Sequence, residues 1–218
     1  IIKYLIPYIK KNKAVLYVNV GDYKNVWDEL IRDIPQMGEL ATEHFDNWKD
    51  TKAFATKALS ASQINNSDVV TDNNRDDNSK NITADNSSED TSDNITGIHG
   101  FYHKNIFEAV YCTNLLMRSA DVLVTKPSEL AFYPVPKLFI KRVGGHEQWG
   151  AVHSAEIGDG TLECRDIPHT LQMIKLFMED DTYITDMCKN IKKNKQMGIY
   201  NGAYEAVKLA VTMKKSDI

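Results

Sequence analysis

Cysteine is scarce in this sequence: Cys112, Cys164 and Cys188 are odd in number, widely spaced and without a CxxC pair. That argues against both a disulfide framework and a structural zinc site, and a reducing, cytoplasmic setting is the expectation. Basic charge is not in excess either. The net charge is −4 with no basic stripe, so the electrostatic footprint of a nucleic-acid binder is missing. The opening IIKYLIPYIKK is broken by Lys3 and is followed by no small-residue cleavage site, so it reads as a helix or loop leading into a strand rather than a membrane span or signal peptide. There is no GxGxxG, no P-loop and no G-x-S-x-G elbow, which removes the commonest sequence signatures of dinucleotide, triphosphate and serine-hydrolase chemistry.

What the chain does have is 42% apolar residues over 218 positions, enough for an ordinary core. AVLYVNV at 14–20 is a continuous, β-branched run of strand length, punctuated by Gly21-Asp22 and followed by the helical pattern NVWDELIRDI. A weaker helical pattern around Phe45, Trp48, Phe54 and Ala58 predicts at least one helix in 37–60. Over 61–97 the composition changes. Positions 64–96 hold eight Asn and eight acidic residues against Arg75 and Lys80, a stretch too polar to offset chain entropy and expected to be disordered. It carries net charge −6, leaving +2 on the rest. Its four N-x-S/T sequons are what an Asn/Ser/Thr-rich tract produces by chance.

Beyond it, Phe107, Val110, Tyr111 and Leu115 recur at helical spacing through NIFEAVYCTNLLMRS, and DVLVT at 121–125 reads as a buried strand. Lys126-Pro127-Ser128-Glu129 then opens a turn and short helix, with Pro suited to the first helical position and Ser to the cap. KLFIKRV at 137–143 is the next strand. The loop Gly144-Gly145-His146-Glu147-Gln148, a helix through AVHSAEI closed at Gly158-Asp159-Gly160, a short strand near 161–164 and surface helices over 167–194 and 200–214 complete the chain. Strands alternating with helices imply an α/β domain with a mainly parallel sheet. The organisation expected is therefore 1–60 and 98–218 as two parts of one Rossmann-like, three-layer domain, with 61–97 as a disordered polar insert.

In such a sheet ligands gather beyond the carboxyl ends of the strands. Three loops qualify: Gly21-Asp22, Lys126 to Glu129, and Gly144 to Gln148. In the third, Gly144 and Gly145 allow close backbone approach while His146, Glu147 and Gln148 offer donors and acceptors suited to a sugar. The same residues also fit a tight strand-to-helix turn with a solvated tip, and Lys126 and Glu129 also fit an exposed ion pair or helix cap. His99 and His103 lack a companion carboxylate or cysteine in sequence, so no metal is expected there. Glu156, Asp159, Glu163 and Asp166 read as a solvated face.

Residues 115–151, LLMRSADVLVTKPSELAFYPVPKLFIKRVGGHEQWGA, resemble the donor-binding half of GT-B glycosyltransferases, of the MurG-like and monogalactosyldiacylglycerol-synthase-like kind. Met117 to Asp121 match the family's M-x-x-A-D pattern, Lys126 and Pro127 its Lys-Pro loop, Pro136 the proline before the next strand, and Gly145 to Gln148 its G-Q-E-E segment. The resemblance implies a UDP-sugar as substrate, no further cofactor and no metal. It implies that Glu129 meets the nucleotide ribose, that His146, Glu147 and Gln148 face the sugar, and that the amides after Lys126 face the diphosphate with Lys126 as the candidate cation; Gly21, Ser128, Gly144 and Gly145 complete the expected substrate-binding set. Hexosyl transfer would then need an N-terminal GT-B half or a partner subunit, with membrane contact only through acceptor or partner. The Gly-Gly-x-Thr turn of the family is missing between Lys126 and Pro136, and Gly150 stands where the family has Asn. The missing turn favours an alternative, a non-catalytic binding or regulatory module that keeps the fold, and a further alternative on the same fold is a UDP-sugar epimerase or hydrolase with His146 or Glu147 as its acid or base. No catalytic residue is assigned.

Overall fold

A computed structural model describes residues 1–67 and 94–216, in two compact units, Ile2–Ser119 and the part from Ala120 onward. The fold is α/β with small parallel sheets.

In the first unit, helix α1 (Ile2–Ile9) leads into strand β1 (Val15–Asn19), and helix α2 (Lys24–Asp33) and the short α3 (Pro35–Gly38) precede strand β2 (Ala41–Phe45). Helix α4 (Trp48–Ser67), strand β3 (Gly97–Tyr102) and helix α5 (Ile106–Leu116) follow. The strands form a parallel sheet in the order β1-β3-β2, so the central strand is one the periodicity did not announce. GIHGFY has two glycines and no clean alternation, but both glycines have a packing reason. Gly97 has φ +90° and lies where a Cβ would meet the Leu40 carbonyl oxygen at 2.6 Å, and a Cβ on Gly100 would fall 2.3 Å from the Trp27 ring. Trp27, from α2, is fully buried there and donates its indole N–H to Glu43 at 2.8 Å. On the side chains alternating with these, Phe101 joins Phe54, Ala55 and Ala58 of α4 and Cys112 and Leu116 of α5 in one apolar cluster.

Two expectations change here. Phe45 belongs to β2 rather than to a helix, because the 41–45 segment ATEHF pairs in register with 98–102 and tertiary pairing overrides a weak helical pattern. The stripe Phe107, Val110 and Tyr111 lies on the exposed side of α5, with Phe107 81% exposed, while Ala109, Cys112 and Leu116 face the core. α5 is apolar all round, so spacing alone could not say which face is inward. The expected disorder of 61–97 lies, for 68–93, outside the described residues. At its edges α4 runs on to Ser67 and β3 begins at Gly97.

The second unit holds strands β4 (Leu123–Thr125) and β5 (Lys137–Phe139), paired in parallel, and helices α6 (Gln148–Ile157), α7 (Ile167–Glu179), α8 (Asp181–Gln196) and α9 (Gly202–Ser216). β4 is shorter than DVLVT and only partly buried, Val124 being 38% exposed. β5 is fully buried but stops at Phe139 rather than Val143. The expected strand at 161–164 is an extended segment that bridges β5 at Gly160 and hydrogen-bonds along it through Thr161 and Cys164. Gly158, at φ +73°, ends α6 in the left-handed conformation that glycine favours. The last carbonyls are received by α8: Asn194 donates to Ile157 at 2.8 Å and Asn190 to Gly158 at 3.1 Å.

Glu156, Asp159, Glu163 and Asp166 do not form a solvated face. Asp159 and Lys137 are fully buried and paired at 2.9 Å, with Tyr200 donating its hydroxyl to Asp159 at 2.8 Å. Asp166 caps α7 by accepting the His169 N–H at 2.8 Å, and Glu163 clasps Arg142. Of the four, Glu156 alone is exposed without such a role among the described residues.

Candidate functional site

Because β5 ends at Phe139, Lys141 and Arg142 belong to the loop beyond its carboxyl end, where ligands of parallel sheets collect. Residues 141–145, with Glu163 and Arg165, enclose a cleft of about 420 Å³. Glu163 holds Arg142 twice, accepting the guanidinium at 3.0 Å and the Arg142 backbone N–H at 3.1 Å. Lys141 and Arg165 are exposed and have no ionic partner among the described residues. Three cations against one carboxylate give the cleft a net charge of +2. Gly145 keeps the wall low, since a Cβ there would meet nothing within 4 Å.

Glu147 sits behind that wall with its side chain 7% exposed. One carboxylate oxygen accepts Lys126 Nζ at 2.5 Å, and the other accepts the backbone N–H groups of Val143 at 2.8 Å and Gly144 at 3.1 Å. The Lys126 hydrogen bond first, and then the two amides, hold the Glu147 carboxyl down to about 2, so it is ionised throughout the neutral range.

Among the residues expected at a site, Lys126, Gly144, Gly145 and Glu147 are brought together here. His146 and Gln148 are exposed beside them, His146 with its ring over Gly144. Ser128 makes no capping bond through its side chain, although its carbonyl accepts Ala131 N–H at 2.9 Å. Glu129 opens a short 3-10 turn, Glu129–Phe132, and its side chain lies outside what the structure describes. Gly21 belongs to the other unit, in the left-handed conformation after β1. Gly150 has a packing reason: a Cβ would fall 3.2 Å from both Ala131 Cβ and the Pro127 carbonyl oxygen, closer than an ordinary van der Waals contact, so a side chain there would require the 127–131 turn to give way slightly. Lys141, Arg142, Glu163 and Arg165 were not foreseen. The signal available was the Lys-Arg pair interrupting the apolar LFI run.

A second constellation lies in the first unit. His99 and His103 sit two and six places on from Gly97, in β3 and just beyond its end, on the face toward α4. His44 Nδ1 meets Asp50 at 2.6 Å, His44 Nε2 meets His99 Nδ1 at 3.1 Å, and His99 Nε2 meets the Thr96 carbonyl at 3.0 Å. His103 Nε2 meets Thr51 Oγ1 at 3.0 Å, and its Nδ1 stands 3.6 Å from Glu108. Glu108, five positions on, therefore approaches His103 directly, while Asp50 reaches only His44, which in turn meets His99, so the two histidines lie in separate networks. Burial pulls the His99 imidazole down to about 4, and His44 adds to the shift. No group of three or more potential metal ligands is assembled among the described residues, and no described helix is long and apolar enough to cross a membrane.

No curated protein and no solved structure matches the chain. A family pattern does match, over residues 1–86 and 62–211, and by that measure the chain belongs to the family described as Domain of unknown function (DUF6938).

Proposed function

We propose that this chain is the donor-binding half of a GT-B glycosyltransferase, a Rossmann-like half-fold that holds a UDP-sugar by its diphosphate in the cleft of Lys141, Arg142 and Arg165. The observation that carries this reading is the net +2 cleft beyond the carboxyl end of β5. A diphosphate joined to both a nucleoside and a sugar carries two negative charges, which this cleft neutralises. Support also comes from the resemblance over residues 115–151. Lys126 was the expected cation for the diphosphate, but Glu147 already neutralises it, so the reading moves that role to Lys141 and Arg165. Positive side chains aimed at a leaving diphosphate stabilise the charge that develops there during transfer. In this reading the acceptor site is supplied by another GT-B domain or a partner subunit.

One observation favours a second reading, a binding module without transferase activity. The carboxylate expected to face the sugar is turned inward onto Lys126 and two backbone amides.

Calorimetry and thermal shift against UDP, UDP-glucose, UDP-galactose and UDP-GlcNAc test the donor reading. Ligand that binds only the folded state stabilises it by about 2.7 kcal/mol at a hundred times its Kd. The expected result is a rise in melting temperature with at least one UDP-sugar, weakened at least roughly tenfold in affinity by the exposed-site double variant Lys141→Glu/Arg165→Glu and weakened by added salt. A well-folded chain that no nucleotide stabilises at millimolar concentration would sink the reading.

A further inference from the structure

The loop behind the cleft contains a second anion site that is already full. Two successive backbone N–H groups, from Val143 and Gly144, converge on one oxygen of a carboxylate whose other oxygen takes the Lys126 ammonium. That is the arrangement of amides and cation that holds phosphate oxyanions in loops. Here the anion is the chain's own Glu147, which is nearly inaccessible to solvent. Val143 and Gly144 also line the cleft, so the filled nest and the open cleft share a wall.

The electrostatic consequence is a division of labour. The Lys126–Glu147 pair is neutral as a unit, and the cleft beside it has a net charge of +2. A ligand with two negative charges is matched by the cleft alone. A ligand with a free terminal phosphate brings a third charge, which the amides and Lys126 would otherwise receive. With Glu147 in place, that charge meets a fixed carboxylate, and discrimination comes from a repulsive element as much as from an attractive one.

Building on the donor reading above, we infer that Glu147 is a specificity-determining residue: it acts as a resident anion in the 143–144 nest, so that the cleft accepts diphosphate diesters and disfavours ligands with a terminal phosphate. UDP-sugars are of the first kind, and UDP and inorganic pyrophosphate are of the second. In an enzyme the same contact would favour release of the nucleoside diphosphate once the sugar has left.

The test compares UDP-glucose, UDP and inorganic pyrophosphate by calorimetry on the full chain and on Glu147→Gln, with circular dichroism as a check on folding. The wild type is expected to bind UDP-glucose more tightly than UDP. In Glu147→Gln, affinity for UDP and pyrophosphate should rise roughly tenfold while UDP-glucose changes by less than about threefold, reversing the order. Unchanged ratios in a folded Glu147→Gln overturn the inference and leave the donor reading standing. No nucleotide binding by the wild type, together with pyrophosphate binding gained in Glu147→Gln, does the opposite. Should Glu147→Gln not fold, Lys126→Gln leaves Glu147 without its cation, and the wild-type preference for UDP-glucose over UDP should widen. A preference that stays the same overturns the inference as well.

Discussion

Lys137→Met is expected to destabilise the second unit by about 3–5 kcal/mol, the usual cost of breaking a buried ion pair from one side. Lys137 lies in β5 with no exposure, and its ammonium has three acceptors for its three protons: Asp159 at 2.9 Å, the Tyr133 carbonyl at 2.8 Å and the Val135 carbonyl at 3.0 Å. Burial pushes the ammonium below its ordinary range, and the Asp159 carboxylate opposes that shift. Removing the ammonium strands Asp159, whose second oxygen already lacks a hydrogen-bond partner among the described residues, with only the Tyr200 hydroxyl. Asp159→Ala should cost a similar amount. The double variant Lys137→Met/Asp159→Ala should lose distinctly less than the two single losses combined, since neither charge is then left alone. Urea unfolding of the four proteins measures this, and a single-variant loss under about 1 kcal/mol would contradict the reading of the pair as a buried, mutually dependent contact.

Acid should weaken the first unit over a specific window. The His99 imidazole is held at about 4 in the folded chain, chiefly by burial, then by His44, with the Thr96 carbonyl working the other way. An unfolded histidine titrates near 6.5. Between those values the unfolded chain binds more protons, so stability is fully present above about pH 6.5 and is lost as pH falls toward 4. The loss at the bottom of the window is on the order of 3 kcal/mol. His99→Phe removes one of two buried rings in this unit, since burial also lowers the His103 imidazole, so its unfolding free energy should slope distinctly less from pH 7 to 5 than that of the wild type. A parallel slope in the variant would assign the acid sensitivity elsewhere. Glu147 does not confuse the measurement, because its carboxyl is held down to about 2 and its contribution is lost only below the ordinary carboxylate range.

How much of this was legible in the sequence depends on where each signal resided. AVLYVNV, NVWDELIRDI and the Gly158 helix stop were readable because each is decided locally, by an apolar run, a helical period or a left-handed glycine. β3 was not, because its two glycines are there to admit Trp27 and the Leu40 carbonyl, partners 73 and 57 positions away. Lys137 and Asp159 are charged residues that a composition rule places outside, and only their pairing makes burial tolerable. At the candidate site the Gly144–Gln148 loop was singled out for its two glycines and its polar tip, as a loop that would face a sugar, and it does border the cleft through Gly144 and Gly145. The direction in which Glu147 points was not readable, nor was the arrival of Arg165 beside Lys141 from 24 positions further on.

The buried indole of Trp27 has an optical consequence. Its ring is sealed under Gly100 with its N–H on Glu43, Trp48 lies edge-on to the His103 imidazole, and Trp149, 72% exposed, stands in the first turn of α6. The three fluorophores therefore emit from an apolar pocket, beside a potential quencher and in water. Melting of the first unit should redden the emission through Trp27. Trp149, two residues from Glu147, reports on the second unit from beside its cleft, so one spectrum follows both units in different colours.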